Sequence, residues 1–351
     1  MSFSYAIIGT GAIGGYYGAR LQQSGCDVHF LLRSDYAHVR DRGITVASID
    51  GDFSLPQVNA YRNAKDIPPV DVAIVALKTT QNALLTTLLP PIKENGAILS
   101  LQNGLGVEAD IVQQLKAQQL NAQQLNAQQP NAQQLNVQID TVPAVLGGLC
   151  FICSNKVDAG HIRHMDYGKV VIGAHHESNQ PSLPTPCVNQ IVEDFTRANI
   201  EIAVTEDLPM ARWQKLVWNV PYNGLSVVLD ATTEAMMASG EVRTDQSAPM
   251  LSLITTLMEE VVTVANAWGE QISPGTQRGI PKRVIAEMLE QTEAMPPYRT
   301  SMKIDYDEKR PLEIEAILGE PIRTAQQLGI PVPAMTMLYQ QLMFLNDRNQ
   351  A

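Results

Sequence analysis

Cysteine, aromatic rings and positive charge are all scarce in this chain. Its 351 residues include four cysteines, 5% aromatic residues, and 25 Lys and Arg against 36 Asp and Glu, for a formal net charge of -11. So few cysteines exclude a disulfide framework. Cys150 and Cys153 form a C-x-x-C, but Val145, Leu146, Leu149, Phe151 and Ile152 around them predict a strand. Positions three apart on a strand face opposite ways, so neither a shared metal nor a disulfide is expected. The histidines lack zinc spacing as well: His161 and His164 stand three apart in an extended stretch, followed by the neighbours His175 and His176, and all are expected on the surface. The acidic excess is spread along the chain, which argues against nucleic acid as a partner. No apolar run approaches a membrane span, and the first strand starts too close to Met1 for a signal peptide, so a soluble cytoplasmic protein with no membrane partner is expected.

What is present begins at Tyr5-Ala6-Ile7-Ile8-Gly9-Thr10-Gly11-Ala12-Ile13-Gly14. An apolar run breaks into glycines and resumes with helical character as far as Gly25, which reads as strand, tight turn and helix. In that setting one glycine turns the chain, one lets a pyrophosphate approach the backbone and one lets helix pack on strand. The free N–H groups of the helix N-terminus then face the phosphates. A second strand, Asp27 to Arg33, ends where the ribose 2′ position is read. Arg33-Ser34 at that point suit a 2′-phosphate and favour NADPH, whereas Asp35, were it to meet the ribose, would reverse the preference.

A third strand, Val70 to Leu77, is continuously apolar, as in parallel sheets covered on both faces. It ends at Lys78, and the next strand, Ala97 to Leu101, ends at Gln102-Asn103-Gly104. Ligands of such sheets sit beyond the carboxyl ends of the strands, which brings Lys78 and Asn103 into consideration. A solvated lysine and an Asn-Gly turn are the plainer readings. Residues 117–136 are four copies of a pentapeptide, Ala117-Gln118-Gln119-Leu120-Asn121 being the first and Pro130 replacing Leu in the third. A five-residue period keeps neither a helical stripe nor a strand face, so a surface insertion is expected, with Pro130 interrupting any helix that extends from Val107. Strands follow at Val142 to Ile152, around His161 to His164 and at Lys169 to Gly173, with Gly160 and Tyr167-Gly168 as turns between them.

The length suggests two domains, divided near residue 205: an α/β dinucleotide-binding domain over 1–205 and a helical domain over 206–351. In the second, Lys215, Asn219 and Asn223 recur every four residues, which places a cation and two amides on one face of a helix. A solvated stripe is the alternative, and Pro221 weakens the geometry. Apolar positions over Ser252 to Trp268 suffice for a core and leave room for a homodimer face.

Taken together, the glycine motif, Leu77-Lys78, Gln102-Asn103-Gly104, Lys215-Leu216 with Asn219 and Asn223, Ser301-Met302 and Glu313-Ile314 resemble the ketopantoate reductase (2-dehydropantoate 2-reductase) family, in family order and over all but the pentapeptide insertion. The resemblance implies a Rossmann-type NADPH-binding domain followed by an all-helical domain. It also implies NADPH-dependent reduction of 2-dehydropantoate to (R)-pantoate, for pantothenate and coenzyme A synthesis, in the cleft between the domains. By position it makes Gly9, Gly11, Ala12, Ile13, Gly14, Arg33 and Lys78 cofactor contacts, and Asn103 a contact for both ligands. Lys215 and Glu313 match the catalytic residues, and Asn219, Asn223 and Ser301 the substrate-positioning groups; no metal is implied.

The chemistry agrees with these residue types: hydride arriving at a ketone leaves an alkoxide, which an ammonium both stabilises and protonates. Burial is expected to loosen the hold of Lys215 on its proton from a usual pKa of ~10.4. Glu313 could favour the charged lysine, orient it, or accept a hydrogen bond from substrate; it could also serve only the dipole of a helix begun after Pro311. Tyr298 departs from the family pattern, since some members carry a polar amide there. The competing readings are a reductase of another 2-oxo acid and an NADPH-binding sensor without turnover, the latter having no use for Lys215 and Glu313.

Overall fold

The apolar run from Tyr5 to Ile8 forms a strand, β1 (Ser4–Ile8), with its side chains buried on both faces. Tyr5 and Ile7 join a core that includes Tyr16, Tyr17 and Phe195, whereas Ala6 and Ile8 point into another with Ile67 and Val70. Double burial is what makes such a strand continuously apolar. The computed structural model describes residues 2–128, 142–238 and 249–350. The chain divides into two units: Met1–Gln102 with Val107–Leu208, and Asn103–Gly106 with Pro209–Ala351.

The first unit carries β1, β2 (Asp27–Leu31), β3 (Ile44–Ser48), β4 (Phe53–Leu55), β5 (Asn59–Tyr61), β6 (Val70–Val75), β7 (Ile92–Ser100), β8 (Ala144–Asp158), β9 (His161–Ala174) and β10 (Ile202–Val204). They form one sheet in the order β4-β3-β9-β8-β7-β6-β1-β2-β5, with β10 alongside β9. From β5 to β8 every neighbouring pair is parallel. The register aligns the strand ends: Ile8 lies opposite both Leu31 and Val75, and Val75 opposite Ser100. The segments that follow these strands therefore leave the sheet at one edge. The helices of this unit are α1 (Ala12–Gln23), α2 (Tyr36–Arg42), α3 (Leu85–Leu88), α4 (Val107–Gln128) and α5 (Pro186–Arg197). Thr185 caps α5 by accepting the Val188 N–H, and Pro186 opens it. The α/β class expected from the sequence is the one observed.

Three local expectations need correction. First, α4 runs into the pentapeptides as far as Gln128. Ala, Gln and Leu favour helix whether or not they form an apolar stripe. Pro130 and the remaining repeats lie outside the described residues. Second, Tyr167-Gly168 is not a turn. Gly160, at φ +64°, turns β8 into β9, whereas Tyr167 (φ +60°) and Gly168 (φ +135°) sit within β9, where its register against β8 shifts between Phe151 and Ile152. This is a bulge, which keeps the strand going while re-aiming it. Third, His164 is buried rather than superficial. Its Nδ1 is 2.8 Å from Ser48 Oγ, its Nε2 is 2.8 Å from the Tyr167 carbonyl, and its ring lies 4.4 Å from that of Tyr16. None of the four cysteines is in a disulfide, and among the described residues no cluster of His, Cys, Asp and Glu is suited to a metal.

Among its described residues the second unit has helices and no strands: α6 (Leu208–Val228), α7 (Thr233–Ala238), α8 (Pro249–Ile272), α9 (Arg283–Glu293), α10 (Ser301–Asp307), a π turn over Glu315–Gly319, α11 (Glu320–Gln327) and α12 (Pro333–Gln350). α6 continues through Pro221. Trp213, Leu216, Val217 and Val220 of α6 meet Ile254, Leu257, Met258 and Val261 of α8 and Leu338 and Leu342 of α12 in one core. By length and composition α8 could cross a membrane, contrary to the sequence expectation. Its apolar side chains fill this core instead, and its Glu260 accepts the Ala334 and Met335 N–H groups at 2.9 and 2.8 Å, capping α12.

Candidate active site

At the end of β1 the glycines do different things. Gly9 has φ +100°, and a Cβ there would lie 2.7 Å from the Leu77 amide nitrogen, so the turn is seated against the segment that leads to Lys78. A Cβ on Gly14 would stand 2.3 Å from the Gly9 carbonyl oxygen, which enforces the close approach of α1 to the turn. Gly11 differs: a Cβ there would meet nothing within 4 Å. Among the described residues no atom requires a glycine at that position, which precedes α1, so there is open space beside the backbone where a pyrophosphate would come. Ala12 and Ile13 supply the first residues of the helix.

The neighbouring strand ends are tied to this turn. Thr10 Oγ1 donates to the Leu31 carbonyl at 3.1 Å, two residues before Arg33. Arg33 and Ser34 are exposed, and the Ser34 hydroxyl donates to Asp35 Oδ1 at 3.0 Å. Asp35 is buried and engaged, with Lys156 Nζ at 2.5 Å and the Gly160 N–H at 3.2 Å. Burial would raise its pKa, but the bonds from Lys156, Gly160 and Ser34 outweigh it and hold the carboxyl below its ordinary value. A second exposed cation escaped the sequence reading. Arg62 follows β5, whose Tyr61 pairs with Leu31, and its guanidinium lies 5.1 Å from the centre of the Tyr36 ring.

Lys78 follows β6 and is half-buried. The buried Gln102, to which the sequence reading gave no role of its own, holds this segment: its Nε2 donates to the Leu77 carbonyl at 2.9 Å and to Asn82 Oδ1 at 2.6 Å. Asn82 in turn donates to Asp110 Oδ2 at 2.8 Å. A polar side chain just past an apolar strand was the available signal.

In the second unit, Lys215 Nζ donates to Asn103 Oδ1 at 2.8 Å. One turn and two turns further along α6 are Asn219 and Asn223, at 5% and 2% exposure, so the polar stripe is not a solvated one. Asn223 Oδ1 accepts from Ser301 Oγ and from the Met302 N–H, both at 3.4 Å, near the start of α10, which Thr300 caps. Glu313, at 5% exposure, precedes the first helical residue, Ile314, and its carbonyl accepts the Ile317 N–H. The second unit thus brings Lys215 to Asn103 and Asn223 to Ser301. The Tyr298 carbonyl accepts the Thr233 N–H at 3.1 Å.

Two family models match the chain: "Ketopantoate reductase PanE/ApbA" over residues 5–177 and its C-terminal counterpart over residues 207–346. A 2-dehydropantoate 2-reductase of Nostoc sp. is 50% identical over 349 residues, 99% of this chain and 96% of that one. The crystal structure of 2-dehydropantoate 2-reductase from Geobacter metallireducens is 35% identical, covering 97% of this chain and 99% of that one, with a TM-score of 0.80. A D-mandelate dehydrogenase solved with NADH and anilino(oxo)acetate shares the fold at 17% identity and a TM-score of 0.75, over 99% of this chain and 100% of that one.

Proposed function

The chain belongs to the ketopantoate reductase family, and on that premise we propose that it reduces the ketone of 2-dehydropantoate to (R)-pantoate with NADPH. The observation that carries this reading is the Lys215–Asn103 pair, an ammonium fixed on a helix whose next two turns offer buried amides. When bound, the nicotinamide supplies hydride to the ketone carbon. The ketone oxygen then becomes an alkoxide, which the Lys215 ammonium stabilises and protonates. Asn103 aims that ammonium through its amide oxygen. Asn219, Asn223 and Ser301 recognise the polar groups of the small acid, and Glu313 accepts a substrate hydroxyl or orients Lys215.

For the cofactor, the open space beside Gly11 and the N-terminus of α1 suit the pyrophosphate, while Lys78 adds charge beside them. Arg33, with Arg62 on the neighbouring strand end, suits a 2′-phosphate. The occupied carboxylate of Asp35 supports NADPH over NADH, since it is spoken for by Lys156 and Gly160.

One fold serves several oxo acids, as the D-mandelate dehydrogenase likeness illustrates, so substrate follows from the site and not from the fold. The test is NADPH oxidation with 2-dehydropantoate run beside a panel of other 2-oxo acids. Highest kcat/KM on 2-dehydropantoate supports the reading. A better rival acid keeps the mechanism and replaces the substrate, and tight NADPH binding with no turnover on any acid favours a sensor.

A further inference from the structure

The helix that follows Glu313 is irregular at one turn. Over Glu315–Gly319 it takes the π form, in which the Glu320 N–H donates to the Glu315 carbonyl five residues back. In an α-helix that N–H would serve Ala316. The next residue along is Pro321, which has no N–H to offer. The Ala316 carbonyl is thereby released from the helical ladder, and its partner comes from elsewhere in the sequence: the Leu105 N–H donates to it at 2.8 Å.

Gly104 fits the same surface. It has φ +100°, and a Cβ there would lie 2.4 Å from the Ala316 Cβ and 2.5 Å from the Ala316 carbonyl oxygen. Only a glycine lets the backbone settle so closely on the turn. The residue before it is Asn103, whose amide oxygen receives Lys215 Nζ. The backbone that presents Asn103 is therefore seated on a helical turn whose free carbonyl exists because of a register change and a proline.

We propose that Ala316 and Pro321 are positioning residues for the reductase: the π turn, kept open by Pro321, docks Gly104 and Leu105 and so fixes Asn103 beside Lys215. This rests on the reading of Lys215 as the proton donor. Neither residue touches the reacting atoms; both act through Asn103.

The test uses the full-length enzyme with Pro321→Ala and, separately, Pro321→Ser. Each restores an N–H five residues beyond Ala316, in π register with its carbonyl, to compete with Leu105. Amide hydrogen exchange at Leu105 should quicken in both variants, and kcat on 2-dehydropantoate should fall roughly tenfold, while the Kd for NADPH and the melting temperature stay near those of the parent. Unchanged exchange at Leu105 overturns the proposal, as does quickened exchange with unaltered kcat. An effect of Ala but not of Ser would assign the change to side-chain packing and overturn it too. If the parent enzyme itself turns over no 2-dehydropantoate, the functional reading fails, and the exchange data still decide whether Pro321 keeps the docking carbonyl free.

Discussion

Asn103 and Lys215 stand 112 positions apart in sequence and meet at 2.8 Å, amide oxygen to ammonium. A neutral amide acceptor orients a lysine without taking its proton, which is what a proton donor needs from its neighbour. Lys215→Ala should lower kcat by roughly 10²- to 10⁴-fold and leave the Kd for NADPH close to that of the parent. Steady-state kinetics together with a fluorescence titration of NADPH checks this. A variant that keeps its kcat removes Lys215 from the chemistry.

In the proposed reading Arg33 sets the preference for NADPH. Losing a charged hydrogen bond to a phosphate costs about 1.5–3 kcal/mol, so Arg33→Ala should weaken NADPH by roughly tenfold or more and hardly change NADH. Titrating both nucleotides at fixed ionic strength decides the point. Equal weakening of the two would mean that Arg33 lies away from the 2′ position.

Asp194 is a structural counterpart, fully buried on α5. It accepts from the Phe3 N–H at 2.9 Å, Tyr5 Oη at 2.7 Å, Gln190 Nε2 at 3.2 Å and Arg197 Nη2 at 2.7 Å. Burial and this bond push the Tyr5 hydroxyl far above its ordinary pKa, so it stays protonated and donates. Asp194→Ala leaves buried donors unmatched and should cost about 3 kcal/mol, measured as a lower urea midpoint with an unchanged m-value. A loss of a few tenths only would show that water replaces the carboxylate.

Asp71 sets an acid limit. Burial would raise its pKa, but Ser4, through hydroxyl and N–H, and Lys93 outweigh that and hold it below its ordinary value. A carboxylate depressed in the folded state stabilises above its unfolded pKa, and that stability drains away as pH falls through the folded value. The parent should therefore lose melting temperature below about pH 4, and Asp71→Asn should start lower and lose less over the same range. Parallel pH–melting curves for the two proteins would rule Asp71 out as a contributor.

The strands and glycine turn of the first unit were readable because their signals are local. A turn such as Gly9 to Gly14 needs particular residues at adjacent positions, and β1 and β6 are apolar because both faces are covered. The stripe of Lys215, Asn219 and Asn223 was readable as a stripe, but its burial was not, since that depends on helices distant in sequence. The same is true of His164, enclosed by Ser48 and Tyr16. The extension of α4 into the repeats shows propensity prevailing where no periodicity advertises a helix. The π turn left only Glu320-Pro321 as a trace, a pair that also reads as an ordinary helix start.

The chain leaves the first unit after Gln102, returns at Val107 and leaves again after Leu208. A gene fragment cut at the second departure would therefore encode the helices without the four-residue piece that meets Lys215 and Ala316. Swapping halves between relatives at that cut would join one protein's Asn103 segment to another's π turn. Chimaeras of this family should be designed around that borrowed tetrapeptide, carried across with the helical half to which it belongs.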